Sequence, residues 1–350
     1  MTVNISNTSA GESPRSRGAR RFLRNPAAVA GLVFLAALAA VALFAPYFAP
    51  QHYATDDLLS DYRPPALYGL FSGGEREAAR DGRDSAQDSA QDSSARQPPG
   101  ASQDASAYWL GADFMGRDLL SRLIYGARVS LAVALVGAGI SFALGLLYGI
   151  TAGYLGGRID NAMMRVVDVL YAMPTLVVVI LIMVYFRAGQ PEHFTGIKAT
   201  LYRWDSALGG MLFIFVGIGI TSWLQMARIA RGETLSLKGR DFITGAEALG
   251  IGHWGMITRH LLPNLLGPCI VLETASIPGY ILTETFLSFI GLGVNPPMPS
   301  WGSMINEGYQ AMRSYPHVIL WPVLTLTATV LAFNFAGDGL RDALDPRLAE

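Results

Sequence analysis

Long apolar stretches alternate with polar segments along this chain of 350 residues. A helix needs roughly 20 residues to cross a bilayer core of about 30 Å. Six stretches reach that length, at about 27–48, 129–154, 163–186, 208–230, 265–292 and 318–336. The pattern predicts an all-α membrane protein with six transmembrane helices.

Composition supports lipid as the solvent for most of the chain. Hydrophobic residues make up 51% of the sequence and charged residues 15%, whereas soluble domains carry about 25% charged residues. The formal net charge of -1 argues against a nucleic-acid-binding protein, which would need a basic face. The chain has one cysteine, Cys269, so it predicts neither a disulfide framework nor a zinc site.

The distribution of Lys and Arg predicts the orientation, because these residues accumulate in short cytoplasmic loops. An orientation with both termini in the cytoplasm leaves only Arg187, Lys198, Arg203 and Arg313 in the two short external loops. The same orientation places a larger set inside: Arg15, Arg17, Arg20, Arg21, Arg24, Arg158, Arg165, Arg228, Arg231, Lys238, Arg240, Arg259, Arg341 and Arg347.

Polar segments divide the chain into parts. We expect a mobile cytoplasmic arm at 1–24, a retained first helix at 25–49 and an external loop at 50–128. The repetitive Asp-Ser-Ala-Gln sequence predicts disorder at about 72–106. The segment 109–131 reads as an amphipathic helix at the membrane surface. A core of five helices follows at 129–340, with a cytoplasmic loop at 231–263, and the tail is 341–350.

No catalytic chemistry is predicted for this chain. A phosphate-binding loop needs the form G-x-x-x-x-G-K-[ST], and neither lysine, Lys198 or Lys238, lies in such a motif. Any ATP that this protein depends on must therefore be hydrolysed on another polypeptide. The motifs H-E-x-x-H and G-x-S-x-G are also absent from the sequence, so we predict no catalytic, cofactor-binding or metal-binding residue.

Three acidic residues lie within the apolar stretches, Asp168, Glu273 and Glu284. Such residues are costly in lipid and need an internal partner or a watery cavity. Asp168 is a candidate for a translocation path or an intersubunit contact, and it also has a candidate partner in Arg165, three residues earlier on the same helix face. Glu284 follows Pro278 in its helix and lines either a translocation path or a contact with a neighbouring subunit.

The cytoplasmic loop at 231–263 is the most informative segment. Gly245, Ala246 and Ala248 would give a helix a flat surface that another protein can approach closely, and Gly250 permits a sharp turn after it. The loop therefore predicts a docking site for a partner protein.

This loop resembles the coupling loop of the inner-membrane permeases of binding-protein-dependent ABC importers. Their pattern is E-A-A, three residues, G, nine residues, then I-x-L-P. The matching positions hold Thr244, Gly245, Ala246, Gly250, His260, Leu262 and Pro263. Thr244 and His260 depart from the pattern, at its glutamate and its isoleucine.

Other segments are similar to the dipeptide and oligopeptide permeases, and to the second, C-type, of their two permease types. They read Trp-Leu-Gly-Ala-Asp at 109–113, Gly-Arg-Asp at 116–118, Ser-Phe-Ile-Gly-Leu-Gly at 288–293, Pro-Ser-Trp-Gly at 299–302 and Gly-Asp-Gly-Leu-Arg-Asp-Ala-Leu-Asp-Pro-Arg at 337–347. The resemblance spans nearly the whole chain.

The resemblance implies a type I ABC importer permease fold in the bacterial cytoplasmic (inner) membrane. It also implies a related second permease, two cytoplasmic ATPase subunits that bind ATP and Mg²⁺, and an extracytoplasmic binding protein that delivers peptide. Nickel chelates, glutathione and other small solutes stay open as substrates. A membrane scaffold or an intramembrane enzyme would explain the six helices but not the coupling-loop pattern.

The predicted orientation puts Lys198 outside and Lys238 inside, on the two sides of one membrane crossing. We expect a cysteine at position 198 to react with an impermeant thiol reagent in intact spheroplasts, and a cysteine at 238 to react only after lysis. Both are placed in a Cys269→Ser background. Equal labelling of the two cysteines in intact cells would overturn the six-helix topology.

Overall fold

Helices form nearly all the regular structure in the computed structural model, which describes residues 14–56, 61–66, 108–187 and 194–344. The segment predicted to be disordered, at about 72–106, lies outside these residues. The described residues contain no strand. The helices are α1 Pro14–Arg24, α2 Pro26–Leu43, α3 Ala45–Phe48, α4 Leu119–Leu155, α5 Gly157–Tyr171, α6 Thr175–Arg187, α7 Gly196–Ala207, α8 Leu212–Lys238, α9 Asp241–Ala248, α10 His253–Phe289, α11 Trp301–Ala311 and α12 Pro316–Leu344.

Five of the described helices are long and apolar enough to cross a membrane: α2, α4, α8, α10 and α12. Together α5 and α6 make a sixth span, bent by 76° at the break between them. The break lies before Pro174, which lacks a backbone N–H and disfavours helical backbone in the residue ahead of it. The predicted all-α architecture of six spans is confirmed, with the third span broken into two helices.

Two helices begin earlier than their apolar runs predict. Helix α4 starts ten residues before position 129, because the Asp118 carboxylate caps it by accepting hydrogen bonds from the backbone N–H of Ser121 at 2.8 Å and from its hydroxyl at 2.6 Å. The predicted amphipathic helix at 109–131 is therefore helical only in its second half. Helix α10 starts at His253 rather than near 265, so Leu262 and Pro263 lie inside it.

A buried ionic cluster holds the segment before α4 in place. Asp113 is fully buried and accepts from the Arg117 Nε at 2.8 Å and from Arg122. Arg122 also donates to both carboxylate oxygens of Glu307 in α11, at 2.5 and 3.0 Å. The Arg122–Glu307 contact joins the start of α4 to α11, which follows α10. The buried charges are tolerated because each has a partner of opposite sign.

The described part of the N-terminal arm forms α1, which packs on the end of α12. The mobility expected of this arm stays a prediction. A Cβ atom at Gly18 would lie 2.8 Å from the carbonyl oxygen of Ala343, and one at Gly339 would lie 3.1 Å from the ring of Phe22. Asn25 then caps α2 by accepting from the N–H of Ala28 at 3.2 Å.

Helices α4 and α8 approach each other along a ridge of three glycines spaced four residues apart, Gly145, Gly149 and Gly153. A Cβ atom at Gly145 would lie 2.7 Å from the carbonyl oxygen of Trp223, and one at Gly149 would lie 2.7 Å from the Cβ of Ala230. Both distances are shorter than van der Waals contact. Small residues at this spacing let membrane helices pack closely, since lipid supplies no hydrophobic force between them.

We expect Gly149→Ala to lower the stability of the folded protein by about 1–3 kcal/mol, because the added methyl group overlaps α8. The measurement is the midpoint of thermal unfolding of the purified protein in detergent. Gly139→Ala is the matched control, because Gly139 lies in the same helix with no atom within 4 Å of its Cβ position. Equal unfolding midpoints for the two variants would show that the ridge does not set the packing.

Candidate functional site

The cytoplasmic loop contains a short helix, α9, that is anchored to the transmembrane core by one face. Ile243 is 1% exposed and Ala246 is 5% exposed, and both belong to a buried apolar cluster. The other buried members come from the ends of α4, α8 and α10: Leu146, Ile150, Tyr154, Met226, Ala230, Met256, Leu261, Leu265 and Cys269. Helix α9 therefore has a fixed position against three membrane-spanning helices.

The opposite face of α9 is exposed. Thr244 and Gly245 are both exposed, and Phe242 and Leu249 expose 44% and 84% of their surface. A Cβ atom at Gly245 would meet nothing within 4 Å. Large apolar side chains beside an unobstructed glycine form the kind of surface that another protein can approach closely.

A tight turn ends α9 at Gly250, whose φ of 77° is in the left-handed region that favours glycine. The N–H of Gly250 donates to the carbonyl of Glu247 at 2.9 Å, and the N–H of Ile251 donates to the carbonyl of Ala246 at 3.3 Å. These two bonds are those of a Schellman motif, which satisfies carbonyls at a helix end. The turn leads the chain into α10, where Leu262 is partly buried and Pro263 is exposed.

Polar contacts tie the segments before and after α9 to neighbouring helices. The Tyr154 hydroxyl at the end of α4 is 2.8 Å from Nδ1 of His253, and the Lys238 ammonium donates to the Tyr154 carbonyl oxygen at 2.8 Å. In addition, the Arg231 guanidinium binds both carboxylate oxygens of Asp160, at 2.5 and 2.7 Å. A bidentate pair of this kind fixes orientation as well as distance.

A second feature is a polar cavity of about 620 Å³ within the membrane-spanning region, between the break at Pro174, α8 and α10. Among the described residues, no charged side chain lines it. The lining residues are Tyr171, Met173, Pro174, Thr175, Ile218, Thr221, Ser222, Leu224, Gln225, Ala275, Ser276, Gly279, Tyr280 and Thr283. The bend in the third span therefore opens beside a wall that is rich in hydroxyl groups.

The acidic residues predicted as path or contact residues do not line this cavity. Asp168 accepts from Arg228 of α8 at 2.8 Å rather than from Arg165 as predicted, because α8 packs beside α5. Glu284 is fully buried and accepts from the hydroxyls of Ser130 at 3.0 Å and Ser288 at 2.7 Å. A role for Asp168 and Glu284 in a path or a subunit contact stays a prediction.

Glu273 is connected to the cavity wall through Tyr280, a residue that the sequence analysis did not single out. Its carboxylate accepts from the hydroxyl of Tyr280 at 2.8 Å and from the hydroxyl of Ser141 at 3.0 Å. Ser141 begins a π-helical turn in α4, and its hydroxyl is also 3.2 Å from the carbonyl oxygen of Ser222. The spacing of Glu273, Ser276 and Tyr280 on one helical face is the signal that would have indicated this cluster.

Within the described ranges, no three His, Cys, Asp or Glu side chains are grouped as metal ligands would be. Two features of the described residues stand out: the exposed face of α9, and the cavity with several hydroxyl groups between the broken third span, α8 and α10.

Comparison with known proteins identifies the family. The model of the binding-protein-dependent transport system inner membrane component matches residues 145–350, which include the cavity wall and α9. The chain belongs to this family of transport components. The N-terminal transmembrane domain of oligopeptide transport permease C matches residues 13–65, which include α1 and α2.

Relatives match this permease over nearly its whole length. It is 36% identical to the oligopeptide transport system permease protein OppC of Haemophilus influenzae, over 94% of this chain and 87% of the relative. It is 35% identical to the dipeptide transport system permease protein DppC of Bacillus subtilis, over 94% and 84%. It is 34% identical to the glutathione transport system permease protein GsiD of Pectobacterium atrosepticum, over 94% and 90%.

A solved structure has a related fold. The permease resembles a chain of the MetNI methionine ABC transporter in an inward-facing conformation, with a TM-score of 0.50 and 16% identity over 65% of this chain and 98% of that chain. At this identity the likeness concerns the fold alone. The permease is a multi-pass membrane protein with the type I ABC importer permease fold that the sequence resemblance implied.

Proposed function

We propose that this permease forms half of the translocation pathway of an ATP-driven importer of dipeptides or oligopeptides in a bacterial cytoplasmic membrane. The observation that carries the proposal is α9, a helix held rigidly by one face and open on the other. Support for the substrate comes from relatives named as oligopeptide and dipeptide permeases, which match 94% of the chain.

The proposed role of α9 is to dock on a cytoplasmic ATPase subunit. The side chains that anchor it, Ile243 and Ala246, belong to the transmembrane core, whereas Phe242, Thr244 and Gly245 are exposed for a partner. ATP and Mg²⁺ bind to the ATPase subunits, since the sequence of this chain has no phosphate-binding loop.

Movement of α9 is transmitted to the membrane in this proposal. The apolar cluster joins α9 to α4, α8 and α10, and a close-packed cluster transmits displacement because its side chains have no free space. Helices α8 and α10 also form part of the cavity wall. A push on α9 by closing ATPases would therefore change the shape of the cavity and open it alternately to each side.

The complete importer has further subunits. A related second permease supplies the other half of the pathway, two ATPase subunits dock in the cytoplasm, and an extracytoplasmic binding protein delivers the peptide. Both termini lie in the cytoplasm, consistent with the distribution of Lys and Arg.

Glutathione import is a second candidate function. The glutathione permease relative is 34% identical to this chain, close to the 36% and 35% of the oligopeptide and dipeptide permeases. Glutathione is itself a small peptide, so the neutral cavity lining suits it as well. Binding of trialanine and glutathione to the binding protein of the same system separates the two functions.

We expect Gly245→Trp to reduce ATP hydrolysis stimulated by peptide-loaded binding protein by about tenfold, because a bulky side chain at a docking interface costs roughly 1–3 kcal/mol. Within the chain the change is harmless, because the position is helical and its Cβ meets nothing within 4 Å. Gly250→Trp is less suitable, since its φ of 77° would strain any other residue. The measurement uses the complete complex in liposomes.

The matched control is Gly232→Trp, since Gly232 is also helical and exposed, with no atom within 4 Å of its Cβ position. We expect this variant to keep normal stimulated hydrolysis. If Gly245→Trp gave normal stimulation and normal peptide uptake, α9 would not be the coupling element and the proposed mechanism would be wrong.

A further inference from the structure

Three hydroxyl groups of the cavity wall present acceptors rather than donors. The hydroxyls of Thr221, Ser276 and Thr283 each donate to the carbonyl oxygen four residues earlier in their own helix, at 3.2, 3.0 and 2.8 Å. A hydroxyl has one proton and two lone pairs. With the proton directed to the backbone, only the oxygen lone pairs are available toward the cavity.

The Tyr280 hydroxyl likewise donates its proton within the protein, to a carboxylate oxygen rather than to a backbone carbonyl oxygen. The Tyr280 ring lines the cavity, and its hydroxyl donates to Oε1 of Glu273 at 2.8 Å. The Glu273 side chain is 7% exposed, and no basic side chain among the described residues lies within ion-pair distance of it. A carboxyl group therefore stands one hydrogen bond behind the Tyr280 hydroxyl, where it can compensate a positive charge.

We propose that this wall binds the protonated amino group of the peptide, with Tyr280 as its acceptor and Glu273 as the compensating charge. An ammonium group has three donors and no acceptor, which matches the available lone pairs of these hydroxyls beside a lining with no positive side chain among the described residues. The interaction is stronger here than in water, because the surroundings have a low dielectric constant. This inference rests on the proposed function and identifies which part of a peptide the permease contacts.

The test uses the complete importer in liposomes, with trialanine as substrate and its binding protein outside. Glu273→Gln keeps the volume of the side chain and an acceptor for Tyr280 but removes the charge, and Tyr280→Phe keeps the ring but removes the acceptor. We expect both variants to import about tenfold less trialanine per ATP hydrolysed. Hydrolysis stimulated by peptide-loaded binding protein should stay within about twofold of the original protein, because α9 is unchanged.

Tyr148→Phe is the matched control. The Tyr148 hydroxyl also lies within a membrane-spanning helix and donates to a carbonyl oxygen, that of Met163, at 2.9 Å, but it does not line the cavity. The inference is overturned if Glu273→Gln imports trialanine at the original rate, or if Tyr148→Phe loses as much import as Tyr280→Phe. Failure of the unsubstituted complex to import any peptide would instead contradict the proposed function.

Discussion

Close contact between α4 and α8 is the constraint on which both functional features depend. Lipid provides no hydrophobic force between helices, so packing has to come from surface complementarity, and the ridge of Gly145, Gly149 and Gly153 supplies it. At the membrane-embedded end of this contact, the π-helical turn at Ser141 reaches Ser222 and Glu273. At the other end, the apolar cluster that holds α9 begins. A larger side chain in the ridge would thus move the cavity wall and the docking helix together.

Several intramembrane polar groups beside the cavity are satisfied locally, and these bonds shape its wall. The buried carboxylates of Glu273 and Glu284 each accept from two hydroxyls, and hydroxyls such as that of Ser276 donate to their own helix. Leaving such groups unpaired in a low-dielectric medium costs several kcal/mol. The bonds from Thr221, Ser276 and Thr283 to their own helices leave oxygen lone pairs on the wall. These acceptors are therefore a by-product of stable helices.

The sequence predicted the spans and the turn residue Gly250. Apolar run length is a one-dimensional property, so it indicates a span directly. Helix starts were missed where side chains rather than apolar residues define them: Asp118 caps α4 well ahead of its apolar core. Pairing was missed for a different reason. Asp168 has a candidate partner three residues away, but α8 brings Arg228 within 2.8 Å, and contact between distant segments leaves no trace in local spacing.

The cavity could not be predicted from residue type alone, because serine and threonine in membrane helices usually bond to their own backbone and need no ligand. What distinguishes Ser276, Tyr280 and Ser222 is that two helices bring them to one wall beside the break at Pro174. The broken span supplies Met173, Pro174 and Thr175 to the same lining. A break in one element thus adjoins hydroxyl groups that belong to two others, and α9 is connected to both of those helices through the apolar cluster. In the proposed mechanism, docking on α9 and contact with a peptide would act on the same pair of helices, which is the physical condition for coupling one site to the other.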